Sequence, residues 1–273
     1  MSDAEPEDEL FEEAMDLARE LPFLAGGGWR KTLRDFLDCL LGLTETREGY
    51  KRAAVGEGNV FDRVCQVFGL IPCGAWPVWP AEKPLLIVAN HPFGGAEAMV
   101  LGSLCLRARH EGLMMANQVV AKLPVIGEFL LPLSILGESE AARKNGASLK
   151  RAFALLRSGG ALAAFPSGEV ASWRGDRVEE GQWSHHIAAL ALKTGATVVP
   201  VKFFGHSPPW FHLLGGIHPR LRTALLPRVM LASRGRNVVF RVGAGIDSAE
   251  HLGKTPDVFA AFLRKQTLGI ALD

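Results

Sequence analysis

The chain has no apolar run long enough to cross a bilayer. A spanning helix needs roughly 18 to 20 consecutive apolar residues, and the nearest stretch, Leu123 to Leu136, is broken by Pro124, Glu128 and Pro132. No secretory leader is expected either: such a segment opens on basic residues and an apolar run, whereas Ser2 to Glu9 is acidic. A cytoplasmic location is therefore expected, soluble or peripheral on the inner face of a membrane. The net charge of +1 supplies no global field, so broad nucleic-acid binding is not expected. Cysteine is scarce: Cys39, Cys65, Cys73 and Cys105 show no C-x-x-C pair or regular spacing. They read as small apolar residues of a reducing compartment. The adjacent pair His185-His186 and the scattered His206, His212 and His218 follow no metal-ligand pattern, so no metal is expected. There is no internal repeat and no low-complexity tract.

What is there suits one sizeable α/β domain with added helices. The 273 residues are 48% hydrophobic and 22% charged, a composition able to bury a core. Residues 1–8 form an acidic tail expected to be disordered. Residues 9–80 read as an N-terminal helical segment. Its helices are Glu9 to Leu21, Trp29 to Leu43 with Leu33, Phe36, Leu37, Leu40 and Leu41 on one side, and Asn59 to Leu70 capped by Asn59. Either these helices cover the sheet or their Trp/Leu/Arg mix touches lipid. Residues 81–273 alternate strands and helices. Strands are expected at Leu85 to Ala89, Leu113 to Ala116, Ala161 to Phe165, Thr197 to Phe204 and Val238 to Val242, with helices at Ala96 to Leu106, Asn145 to Arg157 and His185 to Lys193. That alternation predicts a mixed, mostly parallel sheet flanked by helices.

The first of those strands breaks into Asn90-His91-Pro92-Phe93-Gly94-Gly95, followed by Glu97 in the first turn of a helix. A histidine is thereby held at the C-terminal end of a strand, the edge where open α/β sheets bind ligands. Alone, His91 reads as a loop or helix-capping histidine and Glu97 as an acid favoured by the helix dipole. Together they suggest a histidine base oriented by a carboxylate. A second strand end, Phe165-Pro166-Ser167-Gly168-Glu169, breaks in the same manner.

These two loops, followed by Val198-Val199-Pro200-Val201, resemble the glycerolipid and lysophospholipid acyltransferase superfamily. Within it the chain is most similar to the hemolysin-labelled branch, which includes enzymes acylating lyso-ornithine and lyso-glycine lipids. Members carry Asn-His-Pro-(Leu/Phe)-Gly-Gly-x-Asp, then Phe-Pro-(Ala/Ser)-Gly-Glu-Val, then an apolar-Pro-apolar strand. The resemblance runs from about Pro84 to Ile246 and includes Gly215 to Thr223. This chain departs from it at Glu97, where the branch usually has Asp.

The resemblance implies transfer of a fatty acyl group from acyl-CoA or acyl carrier protein, as co-substrate and without a cofactor, to a hydroxyl or amine of a lipid acceptor. It implies His91 and Glu97 as the catalytic pair. Gly94, Gly95, Ser167 and Gly168 are candidate backbone donors for the oxyanion, with Asn90 and Pro166 beside them in the substrate site. Arg143 and Arg174 are candidate cations for an anionic head group, or ordinary surface charge. Glu169 binds substrate or supports its own loop. Trp210, Phe211, Leu213 and Leu214 form either a core plug or a membrane-inserting loop. A catalytically weakened lipid- or carrier-binding protein, with Glu97 as its support, and a thioesterase are the competing readings.

Overall fold

The computed structural model of the protein describes residues 22–80, 83–134, 138–174, 177–208, 211 and 224–272, without the side chains of 22, 138–144 and 174. The acidic tail, the helix expected over Glu9 to Leu21, and His212, His218, Trp210, Leu213, Leu214 and the Gly215 to Thr223 segment lie outside the described residues.

Strand β2 (Leu85–Ala89) is buried along its whole length. It pairs in parallel with β5 (Ala161–Ala164) on one side and β8 (Thr197–Phe204) on the other. Beyond β5 come β3 (Leu113–Asn117) and the edge strand β4 (Leu130–Leu133), both parallel. Pro132 is tolerated in β4 because an edge strand needs donors on one side only. Beyond β8, strand β9 (Asn237–Val242) runs antiparallel and β1 (Ile71–Cys73) closes the sheet parallel to β9. The short β10 (Ile246–Asp247) pairs antiparallel with the start of β8. The sheet is thus mixed and mostly parallel, as the alternation predicts. The stretch read as helical up to residue 80 also contributes a strand.

The strand period of two divides the core. Leu85, Ile87 and Ala89 of β2 face one cluster with Ala161 and Ala163 of β5. Leu86 and Val88 face the other with Leu162 and Ala164. The first cluster is covered by α4 (Ala96–Ala108), over which lie α2 (Leu43–Ala54) and α3 (Val60–Val67). Because α4 is sandwiched between sheet and helices, it is apolar nearly all round, from Met99 to Leu106. The second cluster is covered by α5 (Glu138–Arg157), α6 (His185–Thr194) and α8 (Pro256–Leu268). A two-stranded hairpin, β6 (Ser172–Arg174) and β7 (Arg177–Glu179), stands apart from the main sheet. Helix α7 (Leu226–Ala232) packs on α2 and on α1 (Trp29–Leu41).

Helix α1 (Trp29–Leu41) departs from its expected course. Gly42, at φ 70°, ends it two residues early and starts α2, which hydropathy did not signal because its buried face uses Thr46 and Gly49 beside Tyr50 and Ala53. Of the expected apolar face, Leu33, Leu37 and Leu41 pack on Leu24 and Leu43. Phe36 and Leu40 remain exposed, with Trp29 and Phe23. Helices α2 and α3 cover the core; α1 does not. Asn59 caps α3 as its sequence predicts, accepting the Phe61 N–H. Helix α5 begins seven residues before the expected Asn145, since Glu138 to Lys144 carry no apolar period. Asn145 instead ties the helix to the end of β4, bonding both the N–H and the carbonyl of Ser134.

Candidate active site

Because β2 and β5 are neighbouring parallel strands, the loops that follow them leave the same edge of the sheet. The His91 ring stacks on Phe165, centroids 3.9 Å apart and planes inclined by 11°. His91 Nδ1 lies 2.9 Å from Glu97 Oε1. Glu97 is fully buried, and the same oxygen accepts the N–H groups of Phe93 and Gly94 at 2.6 and 2.7 Å. With donors converging on it, Oε1 acts as an acceptor. The ring nitrogen facing it therefore carries the hydrogen, which leaves Nε2 as the basic atom. Glu97 Oε2 has no hydrogen-bond partner among the described residues.

The loop holding His91 is tied down at each step. The Asn90 side chain bonds β8 reciprocally, Nδ2 to the Phe203 carbonyl at 2.9 Å and Oδ1 from the Phe203 N–H at 2.7 Å. Asn90, expected in the substrate site, thus has its amide engaged in anchoring the loop. Ser207 Oγ donates to the Phe93 carbonyl at 2.9 Å. Gly94 has φ 104°, which calls for glycine, and a Cβ there would lie 2.6 Å from Leu226 Cδ2, so that side chain would also have to shift.

The backbone donors expected for an oxyanion divide. The Gly94 N–H is engaged by Glu97, and the Gly168 N–H closes a turn on the Phe165 carbonyl at 2.9 Å. Gly95, at the N-cap of α4, and Ser167 remain the candidates; first-turn N–H groups have no partner inside their own helix. Pro166 is buried, and its carbonyl receives the Ser184 N–H. Ser167 Oγ bonds the Glu169 carbonyl at 2.9 Å. Glu169 is exposed, with its carboxylate against Gly181. Arg143 lies on α5 and Arg174 ends β6, but their side chains are outside the described residues. Phe211 is buried against Val170 and Val229.

One residue at the site escaped the sequence reading. Glu180, just after β7, is buried and accepts the His91 backbone N–H on Oε2 at 3.1 Å. Burial pushes its carboxyl above the usual glutamate range, against the opposing pull of the His91 N–H, the Ser167 hydroxyl, the His91 charge and the Trp183 indole. Nothing in Glu179-Glu180 distinguishes it from a solvated acidic pair. Burial also pushes the thiols of Cys65 and Cys105 up to about 12, which leaves both as inert core residues. No group of three or more His, Cys, Asp or Glu side chains suited to a metal occurs among the described residues.

Residues 77–203 match the family model described as Acyltransferase. The chain is 23% identical over 194 residues to the lyso-glycine lipid O-acyltransferase of Phocaeicola vulgatus, an alignment covering 68% of this chain and 67% of that one. Its fold is similar to that of the 1-acyl-sn-glycerophosphate acyltransferase PlsC of Thermotoga maritima. That match has a TM-score of 0.50 at 14% identity and covers 96% and 92% of the two chains. Both motif loops fall inside the matched family segment.

Proposed function

We propose that the chain is a member of the glycerolipid acyltransferase superfamily and that it moves a fatty acyl group from a thioester, acyl-CoA or acyl carrier protein, to a hydroxyl of a lyso-aminolipid or lysophospholipid. The observation that carries this reading is the His91–Glu97 contact of 2.9 Å at the end of β2. A hydroxyl is a poor nucleophile at neutral pH, and a positioned base contributes about 10²–10⁴-fold. His91 Nε2 takes the hydroxyl proton as the oxygen attacks the thioester carbonyl carbon. We assign the N–H groups of Gly95 and Ser167 to the oxyanion. When the C–S bond breaks, the imidazolium returns its proton to the departing thiolate. Glu97 holds the tautomer throughout, and no covalent acyl-enzyme is needed.

The likeness to a lyso-glycine lipid enzyme favours O-acylation of a lyso-aminolipid, and Arg143 and Arg174 are the cations we assign to its anionic head. The contact from Glu97 to the ring supports an enzyme over a weakened binding protein, since the longer acid still reaches. A lipid acceptor also calls for contact with a membrane. No described helix is long and apolar enough to cross one. Exposed Phe23, Trp29, Phe36 and Leu40, with Arg30, Lys31 and Arg34 on the same segment, support peripheral binding to an anionic surface.

Two measurements test the reading. Purified protein given an acyl-CoA and either lyso-glycine lipid or lysophosphatidic acid should form diacylated product by mass spectrometry. Free fatty acid without acylated lipid would identify a thioesterase instead. The protein should sediment with anionic liposomes and be released by alkaline carbonate; retention through that wash would contradict peripheral binding.

A further inference from the structure

The β6–β7 hairpin stands on two feet, and both reach the backbone of the same residue. Ala171, one residue before β6, donates its N–H to the His91 carbonyl at 2.8 Å. Glu180, one residue after β7, accepts the His91 N–H on Oε2 at 3.1 Å. The backbone of His91 is therefore gripped on both sides by a part of the chain that does not supply its ring contacts. A backbone carbonyl or an Asn side chain would satisfy an N–H at less cost than a buried acid, because desolvating a carboxylate is expensive. Yet Glu180 is buried, and its Oε1 and the Trp183 Nε1 make no well-aligned hydrogen bond among the described residues, although the Ser167 hydroxyl and the Trp183 indole lie close enough to favour its charged form. The foot itself is braced: Arg264 of α8 donates to the carbonyls of Glu180 and Gly181 at 2.9 and 3.1 Å. A Cβ on Gly181 would lie 2.8 Å from Glu169 Oε1, so the Phe165–Glu169 loop rests against the same foot.

We propose that Glu180 is a positioning residue for the histidine base: it holds the His91 peptide from beneath the hairpin, fixes the ring between Glu97 and Phe165, and places a negative charge beside the imidazolium formed during transfer. The inference rests on His91 being the base. A charge-assisted hydrogen bond is about twice as strong as a neutral one, which gives the acid a purpose that a neutral acceptor would not serve. The titratable and charged groups around it are His91 from the β2 loop, Glu97 through the ring, Glu169 beside Gly181, and Arg264 on the backbone of the foot. Of these, only His91 carries the transferred proton, and Glu97 holds its tautomer from the other ring nitrogen.

The test compares three variants in one acyl-transfer assay with an acyl-CoA and a lyso-lipid. Glu180→Ala removes the acceptor. Its kcat is expected to fall about tenfold to a hundredfold, the range for a reacting group displaced by about 1 Å, with both KM values within twofold. Glu180→Gln keeps one acceptor and recovers kcat to within about threefold. Its acidic limb in the profile of kcat/KM against pH moves to lower pH, because the imidazolium has lost a neighbouring negative charge. A residue serving only as core volume would leave that limb in place. Circular dichroism reports folding; if Glu180→Ala unfolds, Glu180→Gln alone decides, and an unmoved limb overturns the proposal. Wild-type kcat in a folded Glu180→Ala overturns it as well. His91→Ala separates the two levels. If it retains activity, the base assignment falls and Glu180 with it; if it is inactive while both Glu180 variants match wild type, only the role of Glu180 falls.

Discussion

The two strand-end loops have similar punctuation and opposite characters. In the loop from Asn90 to Gly95, Asn90, the His91 peptide, the Phe93 N–H and carbonyl, and the Gly94 N–H all have partners in the protein. In the loop from Phe165 to Glu169, Pro166 is buried, but Gly168 and Glu169 are exposed and the bonds are mostly internal to the loop. The first loop is built to hold one geometry. The second offers its surface outward while lending Phe165 to support the histidine. On the proposed reading the contrast has a reason: a general base must be aligned to a fraction of an ångström, so its carrier is over-determined, whereas a surface for lipid head groups benefits from remaining open.

The comparison breaks most visibly at the proposed catalytic pair. His91→Ala is expected to lower kcat by at least about 10²-fold, the contribution of a positioned general base, without unfolding the protein. Ser167→Ala, in the open loop, should stay within about tenfold because only the hydroxyl is lost and the backbone donor remains, a smaller effect than loss of a general base. If the two variants lose equally, the loops do not divide the work as described.

Glu97→Gln comes next. It should lower kcat by about tenfold or more through loss of the charge partner of the imidazolium, whereas Glu97→Asp should keep activity. A fully active Gln variant, measured in the same assay, would reduce Glu97 to a helix-terminus acid.

The glycines sharpen the contrast in stability. Gly94→Ala meets both a left-handed φ and Leu226, and should cost about 2 kcal/mol or more. Gly168→Ala also has a left-handed φ but opens on free space, and should cost about 1 kcal/mol. Denaturant midpoints read the difference, and equal losses would remove it.

The smallest effect is electrostatic. The folded-state pKa of Glu180 is raised above its ordinary value of 4.5 by burial. Between those two values the native state binds more protons than the unfolded state, so stability falls as pH rises through that window. Thermal midpoints of wild type should carry this decline on the alkaline side of 4.5, and those of Glu180→Gln should lack it. The same slope in both proteins would assign it to other groups.

Much of this was legible beforehand because apolar runs report burial directly. Strand Thr197–Phe204 has the predicted ends, and His185–Thr194 extends its predicted helix by one residue. What escaped lacked an apolar period. Helix α2 buries Thr46 and Gly49, and the first seven residues of α5 are polar or small. The reading of α1 as one apolar face failed because hydropathy records which residues could be buried, not whether a partner exists to bury them.

The sequence by itself determined the order of strands and helices, the two loops at strand ends, and the pairing of His91 with Glu97, since each depends on neighbours within a few positions. Only the tertiary structure decided which polar groups are spent and which remain. It tied the Asn90 amide to β8, engaged the donors of Gly94 and Gly168, and brought Glu180 to the backbone of a histidine 89 positions away. A hydrogen bond consumes a donor wherever its acceptor arrives in space, and that arrival is set by the packing of strands and helices, which no local pattern encodes.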